Sequence, residues 1–345
     1  MLDCCIIGAG ASGLFCGMLL PRGWKKCILE KNSSAGVKIL LSGKRCNFTN
    51  INVSDKTYVD QTERLKSYFS QFCPKDMIKF LEDHILSQQE DFRMLLKSNK
   101  ARELLDFLLE ENKKNLTEIE YNHGVISIQK QLDYYLIKTN ERTFESKRVI
   151  IATGGQSFPK VGSDFISVFK EQDIAIHRPA PALCLETKED LSSLSSSVSA
   201  EIKLTLGDKT VYQEEHTVLF THWGVSGPGI FNASLWLGYL DPELRKKAKI
   251  RLLITKDQIT KRLLAYLRAP KGLRNYTMTL TPMALRSWDE AKVMSGLLME
   301  EVNENFELKK LPVYLLEALN ITGKTGYNLQ WCWTSAFCCA KAMRK

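Results

Sequence analysis

Residues 4–30 read CCIIGAGASGLFCGMLLPRGWKKCILE, and the order of features within this stretch decides the fold. A short apolar run from Leu2 to Ile7 leads into GAGASG, an apolar helical stretch follows from Leu14 to Leu20, and CILE at 27–30 is a second apolar run ending in an acid. Strand, glycine turn, helix and strand in that order form a β-α-β unit of the dinucleotide-binding kind. Gly8, Gly10 and Gly13 complete G-x-G-x-x-G directly after the first strand. Gly8 permits the tight turn, Gly10 lets the backbone approach a pyrophosphate, and Gly13 lets the helix pack close to the strand. A branched side chain at Gly10 is expected to crowd the phosphate and to disfavour a positive φ at the turn. Ala11 and Ser12 open the helix, whose unpaired N–H groups and partial positive charge suit an anion. Glu30, 22 residues past the first glycine, is placed to accept hydrogen bonds from ribose hydroxyls, with Lys31 beside it. Read as a membrane span or leader the same run is too short, is interrupted by glycines and follows Asp3 rather than lysines.

Outward from this unit, apolar residues recur at helical spacing from Thr62 to about Leu86 and from Lys100 to Asn112. Residues 119–151 then alternate through EIEYN, VISIQ, YYLIKT and RVIIA, which predicts a strand and a small β-meander opened by Val125. The last of these runs enters Ala152-Thr153-Gly154-Gly155, a paired-glycine turn that lets the chain pass close to a bound dinucleotide. Between 183 and 254 the runs EIKLTL, TVLF and KIRLLI read as strands around a Ser-rich loop. Lys256–Leu267 and Trp288–Asn305 read as helical, and Gly323–Lys345 as loop and helix. The expected architecture is α/β: a Rossmann-like dinucleotide-binding domain from 1–160 and 306–345, with an inserted mixed β/α substrate or cap domain at 161–305.

Apolar residues make up 44% and charged residues 25% of the 345, which excludes global disorder. The net charge of +9 and pI near 8.9 suit an anionic partner such as RNA, although the lysines are scattered along the sequence. Ten cysteines without a CxxC pair or zinc-type Cys/His spacing argue against a metal site and for a reduced, cytoplasmic setting.

Three further blocks stand in order with GAGASG and ATGG: KILLSGKRCNFTN at 38–50, LFTHWGVSGP at 219–228 and TGKTGYNLQWCWTSA at 322–336. Together they resemble the YhiN/BaiN-like family of FAD-dependent oxidoreductases over the whole chain. The resemblance implies a two-dinucleotide-binding-domain flavoprotein fold, bound FAD, and NADH or NADPH as reductant. Some members reduce a uridine of large-subunit ribosomal RNA to dihydrouridine, and others act on steroid-like bile acid intermediates. Matching positions carry Lys38, Ser42, Gly43, Arg45, Cys46 and Asn47 over as a loop beside the flavin. There Arg45 and Lys38 would neutralise pyrophosphate or a negative reduced flavin. Cys46 is either the acid that protonates the acceptor or a buried structural thiol. His222 is either an acid–base group or a loop-ordering one. Gly326, Tyr327, Asn328 and Gln330 open the last helix, whose N–H groups would face the flavin pyrimidine.

Several glycines of the family pattern are missing, in the SGK-RCN loop, in TGKTG-YN and in LPVYLLEALN, where Glu317 and Asn320 are what remains of an acid pair. The chain is therefore either diverged at its FAD site or rebuilt in its loops. The leading expectation is an FAD-dependent oxidoreductase with ribosomal RNA uridine as acceptor. A small enone or steroid-like acceptor, and a non-catalytic flavoprotein module, are the alternatives. An RNA-binding protein without redox chemistry finds no RRM or KH signature in its support.

Overall fold

The computed structural model describes residues 1–41, 46–58, 63–84, 86–89, 92–155, 161, 184–286, 302–316 and 328–344. The chain divides into two compact units, Met1–Arg178 with Ser295–Lys345, and Pro179–Met294.

In the first unit the strands are β1 (Cys4–Ile7), β2 (Lys26–Leu29), β3 (Asn47–Asn50), β4 (Leu86–Gln88), β5 (Arg93–Leu96), β6 (Thr117–Glu120), β7 (Val125–Lys130), β8 (Tyr135–Thr139), β9 (Thr143–Ser146) and β10 (Val149–Ile151). Its helices are α1 (Ala11–Leu19), α2 (Val37–Leu40), α3 (Glu63–Gln71), α4 (Pro74–Phe80) and α5 (Ala101–Lys114). The second unit contributes β11 (Leu185–Thr187), β12 (Ser197–Leu206), β13 (Lys209–Thr221), β14 (Gly224–Ser226), β15 (Ala248–Thr255), β16 (Asn275–Leu280) and β17 (Pro282–Leu285), with α6 (Pro228–Tyr239), α7 (Pro242–Lys247) and α8 (Lys261–Leu267). The chain then returns to the first unit with β18 (Tyr314–Leu315) and α9 (Asn328–Met343).

The first unit is organised by a parallel sheet of order β18-β10-β1-β2-β6. β1, β2 and β10 are buried at every position, so their sequences are continuous apolar runs rather than alternating ones. Both α5 and α9 pack on α1, with Phe15 of α1 meeting Trp333 of α9 edge-on at 5.3 Å. The end of α1 is closed by side chains that take its orphan carbonyls: Asn115 Nδ2 donates to Gly17 O and Leu20 O, each at 2.9 Å, and Thr117 Oγ1 donates to Gly17 O at 3.2 Å.

Lys26 is buried in β2, where its Nζ donates to Pro21 O and Asn115 O at 2.9 and 2.8 Å. Burial lowers the pKa of this ammonium to about 8. The antiparallel β7-β8-β9 meander matches the expectation, whereas the small β3-β5-β4 sheet had no clear sequence signal.

Two helix expectations need correction. The helical stretch at 62–86 is two short helices, because Pro74 starts α4 and Asp76 Oδ2 accepts from Cys73 N at 2.7 Å, while Leu86 already belongs to β4. The segment expected to be helical up to Asn305 turns within its described part: Asn303 Oδ1 accepts from the backbone N of Asn305 and Glu307, and Val302 bridges to Leu308.

The second unit carries an antiparallel sheet of order β16-β15-β12-β13-β14-β11-β17. Its long strands alternate, with Ile202, Leu204, Ile250, Leu252 and Ile254 fully buried and Arg251 and Thr255 exposed. α6 packs on β12 and β13 to close that core. Its sequence, PGIFNASLWLGY, is apolar nearly all round, which hides a helical period.

Candidate functional site

The residues singled out in GAGASG and ATGG meet at the carboxyl edge of the parallel sheet, where ligands of open α/β sheets bind. Gly8 ends β1 with φ +106°, and a Cβ there would lie 2.5 Å from the Ala152 carbonyl oxygen. A Cβ on Gly13 would lie 2.0 Å from the Gly8 oxygen, so α1 can sit this close to the strand only because of that glycine.

Gly10 differs from both. It is the N-cap of α1 with φ −85° and ψ −169°, ordinary extended backbone, and the nearest atom to a Cβ would be Ala152 O at 4.0 Å. The positive φ of this turn thus belongs to Gly8 and not to Gly10, and nothing within the chain itself excludes a side chain at Gly10. Its missing side chain opens a cradle at the start of α1, whose first turn contains no acid and whose N-cap makes no side-chain hydrogen bond. This is the setting a pyrophosphate requires, and Ala11 and Ser12 lie in it.

Neighbouring loops are tied to this edge. Gly36 N donates to Ala9 O at 2.8 Å, in left-handed backbone that leads into α2. Lys38, on α2, donates from Nζ to Gly155 O at 2.8 Å. Ala152 N donates to Ile7 O at 2.8 Å, and Thr153, Gly154 (φ +67°) and Gly155 continue from there. Lys38, Thr153, Gly154 and Gly155 are therefore brought together with Gly8–Gly13.

Glu30 ends β2 and is buried. Its Oε2 accepts from Ala9 N at 2.9 Å, and its Oε1 accepts from Asn32 N at 2.9 Å and Asn32 Nδ2 at 2.6 Å. The carboxylate is thus fixed across the glycine turn by the chain itself. The segment after β6 lies alongside, with His123 N donating to Glu30 O at 2.8 Å and Asn122 N to Asn32 O at 3.1 Å. Burial, and secondarily the charge of Glu30, raises the pKa of Tyr121. Lys31 packs near Gly124, one residue before Val125, so the ribose-side acid and the start of the meander share one corner. Asn32 and Gly36 were missed by sequence reasoning, although an Asn two residues after the acid is a turn signal.

Cys46 is buried just before β3, and Asn47 starts that strand opposite Leu95. β3 is locked to α9: Trp333 Nε1 donates to Phe48 O at 2.8 Å and Thr49 Oγ1 to Gln330 Oε1 at 2.6 Å. The Gln330 side chain is therefore spent on structure, with its Nε2 donating to Thr334 Oγ1 at 3.1 Å. Asn328 is the first residue of α9. Ser42, Gly43, Arg45, Glu317, Asn320, Gly326 and Tyr327 lie outside the described residues. His222 belongs to the second unit, exposed in the β13–β14 turn with its ring 6.3 Å from that of Trp223. Among the described residues no cluster of three or more His, Cys, Asp or Glu is placed to hold a metal, and no helix is long and apolar enough to cross a membrane.

The family model for the HI0933-like protein Rossmann domain matches residues 2–342. The chain belongs to the HI0933-like family. The parallel sheet and glycine turn of the first unit are the Rossmann-type fold that this family model describes. A ribosomal RNA dihydrouridine synthase of Escherichia coli is 27% identical to it, over 98% of this chain and 97% of the relative. That alignment runs to 398 positions against 345 residues here, so the relative carries internal segments that this family member lacks. A 3-dehydro-bile acid delta(4,6)-reductase of Clostridium scindens is 25% identical over 66% of this chain and 59% of the relative. Among solved structures, the FrdA subunit of E. coli quinol fumarate reductase covers the whole chain with a TM-score of 0.53 at 12% identity, a likeness of fold.

Proposed function

We propose that this chain uses NADH or NADPH to reduce a uridine of large-subunit ribosomal RNA to dihydrouridine through FAD held at the carboxyl edge of the parallel sheet. The observation that carries the FAD site is the contrast among three glycines, two filled by neighbouring backbone and one, Gly10, facing free space at a helix N-terminus. The full-length relative named a ribosomal RNA dihydrouridine synthase supports the acceptor.

Bound FAD supplies two-electron chemistry, taking hydride from the nicotinamide and giving it to an electron-poor C=C bond. The start of α1 would hold the pyrophosphate and Glu30 the adenosine ribose, since the carboxylate oxygen that takes Ala9 N–H has lone-pair capacity for a second hydrogen bond. Lys38 places a cation over the Gly155 carbonyl, next to the same turn. Cys46 is buried just before β3, and we assign its thiol as proton donor to the uracil carbon that does not receive hydride. A Cys46→Ala variant that keeps full dihydrouridine formation would remove this assignment.

Deleting the gene is expected to remove one dihydrouridine from large-subunit ribosomal RNA, read by mass spectrometry of nuclease digests. Unchanged RNA would discard this acceptor. The bile acid reductase relative favours a second reading, an enone acceptor, which NADH oxidation with a steroid enone would reveal. A colourless protein that gains no thermal stability from added FAD would instead mark a non-catalytic module.

A further inference from the structure

The net charge of +9 is distributed unevenly. From Arg245 to Arg274 there are 11 Lys and Arg against one acid, Asp257, while residues 186–243 hold three Lys against nine acids. The fold concentrates the basic stretch further. β15 and β16 are antiparallel neighbours with Thr255 paired to Asn275, so everything between them is one connection that leaves and re-enters the sheet at the same end. That connection contains Lys256, Lys261, Arg262, Arg268, Lys271 and Arg274, all exposed. Arg262 Nη1 donates to Ser195 O at 2.7 Å, which fixes α8. None of the six forms an ion pair among the described residues, whereas Lys246 nearby pairs with Glu243 at 2.7 Å. Arg268 caps α8 in left-handed backbone, φ +48°, so a cation stands in a conformation that suits glycine or asparagine better.

From this we infer that the β15–α8–β16 connection is a phosphate-binding surface that docks the RNA backbone. The inference deepens the ribosomal RNA reading and rests on it for the identity of the polyanion. Six cations on one short connection match the closely spaced charges of a nucleic acid. The connection exposes no large apolar side chain, which a membrane-inserting basic surface needs.

The test uses the full-length holoenzyme with purified large-subunit ribosomal RNA in filter binding from about 50 to 300 mM salt. Arg268→Asn/Lys271→Gln/Arg274→Gln removes three charges and keeps a left-handed-tolerant residue at 268. Lys75→Gln/Lys97→Gln/Lys113→Gln removes three exposed charges from the first unit as a control. The first triple is expected to lower affinity about tenfold or more near 150 mM salt and to reduce the slope of log K against log salt by about 2 to 3. The control should do neither, and both variants should retain their flavin absorbance. Equal losses in both triples, or none in either, would overturn the surface. So would stronger binding to phosphatidylserine vesicles than to RNA. RNA binding lost in the first triple, from a wild type that forms no dihydrouridine, would leave the surface standing and remove only the acceptor. A wild type that binds no RNA would remove both.

Discussion

Every residue of β1 and β2 is buried, including a lysine, whereas β15 buries Ala248, Ile250, Leu252 and Ile254 and leaves Arg251 and Thr255 in water. β1, β2 and β10 have no free face, and Gly8, Gly10, Glu30 and Thr153–Gly155 lie just past strand ends, where the backbone turns away. The antiparallel sheet has a face to spare, and its unit carries charge on that face and on its connections. A site made of backbone and a surface made of side chains follow from the two ways of covering a sheet. They should also fail in different ways.

The largest effect is expected at the strand ends. Gly13→Val forces a side chain into the Gly8 carbonyl and should destabilise the first unit by ~4 kcal/mol or prevent folding, seen in urea denaturation. Gly10→Val should fold with apo stability within about 1 kcal/mol of wild type and yet bind no flavin. If Gly10→Val unfolded as Gly13→Val does, the cradle would be ordinary packing. In the alternating sheet, Ile250→Ala should cost ~2–5 kcal/mol as a buried deletion, while Arg251→Ala one residue away should stay within ~0.5 kcal/mol.

Next comes Glu30→Ala, which removes a ribose acceptor and also strips Ala9 N–H of its partner. It should lower stability by ~1–3 kcal/mol without ligand and weaken FAD binding in a titration. An effect on FAD with none on the apo protein would mean that a water replaces the carboxylate.

The smallest and most graded effect is in pH. Burial raises the pKa of Cys4, Cys5 and Cys339 strongly, and raises Cys27 and Cys338 to about 12. A group whose folded pKa is raised contributes stability that is full below its unfolded value, about 8.5 for a thiol, and is lost as pH climbs toward the folded one. Lys26 runs the other way: lowered to about 8, it adds stability from there up to its unfolded value near 10.4. Five thiols oppose one amine, so urea midpoints should fall between about pH 8.5 and 10.5. Cys27→Ala should lessen the fall and Lys26→Met should steepen it.

The β1-α1-β2 unit was legible because each of its parts is local: the apolar run, the glycine spacing and the terminal acid lie within 30 residues. What each part does was only partly legible. Whether a glycine is needed for φ or for space depends on what packs above it, and the carbonyl of Ala152, over 140 residues away, is what separates Gly8 from Gly10. The structural role of the Gln330 side chain was not legible, because its partner Thr49 comes from a strand that sequence reasoning left unassigned. The lysines looked scattered because the two ends of the 256–274 connection are brought together only by the pairing of Thr255 with Asn275.

The lock between α9 and β3 orders events during synthesis. Phe15, Phe48 and Phe72 all contact α9 through rings or carbonyls, and α9 follows them by more than 250 residues. The second unit is continuous in sequence and is complete before β18 or α9 has been translated. At about 5–20 residues per second, the first unit waits roughly 8–30 seconds between Arg178 and Asn328 with its aromatic core open while the inserted unit can already fold. A stop codon before Asn328 would leave that aromatic core open permanently.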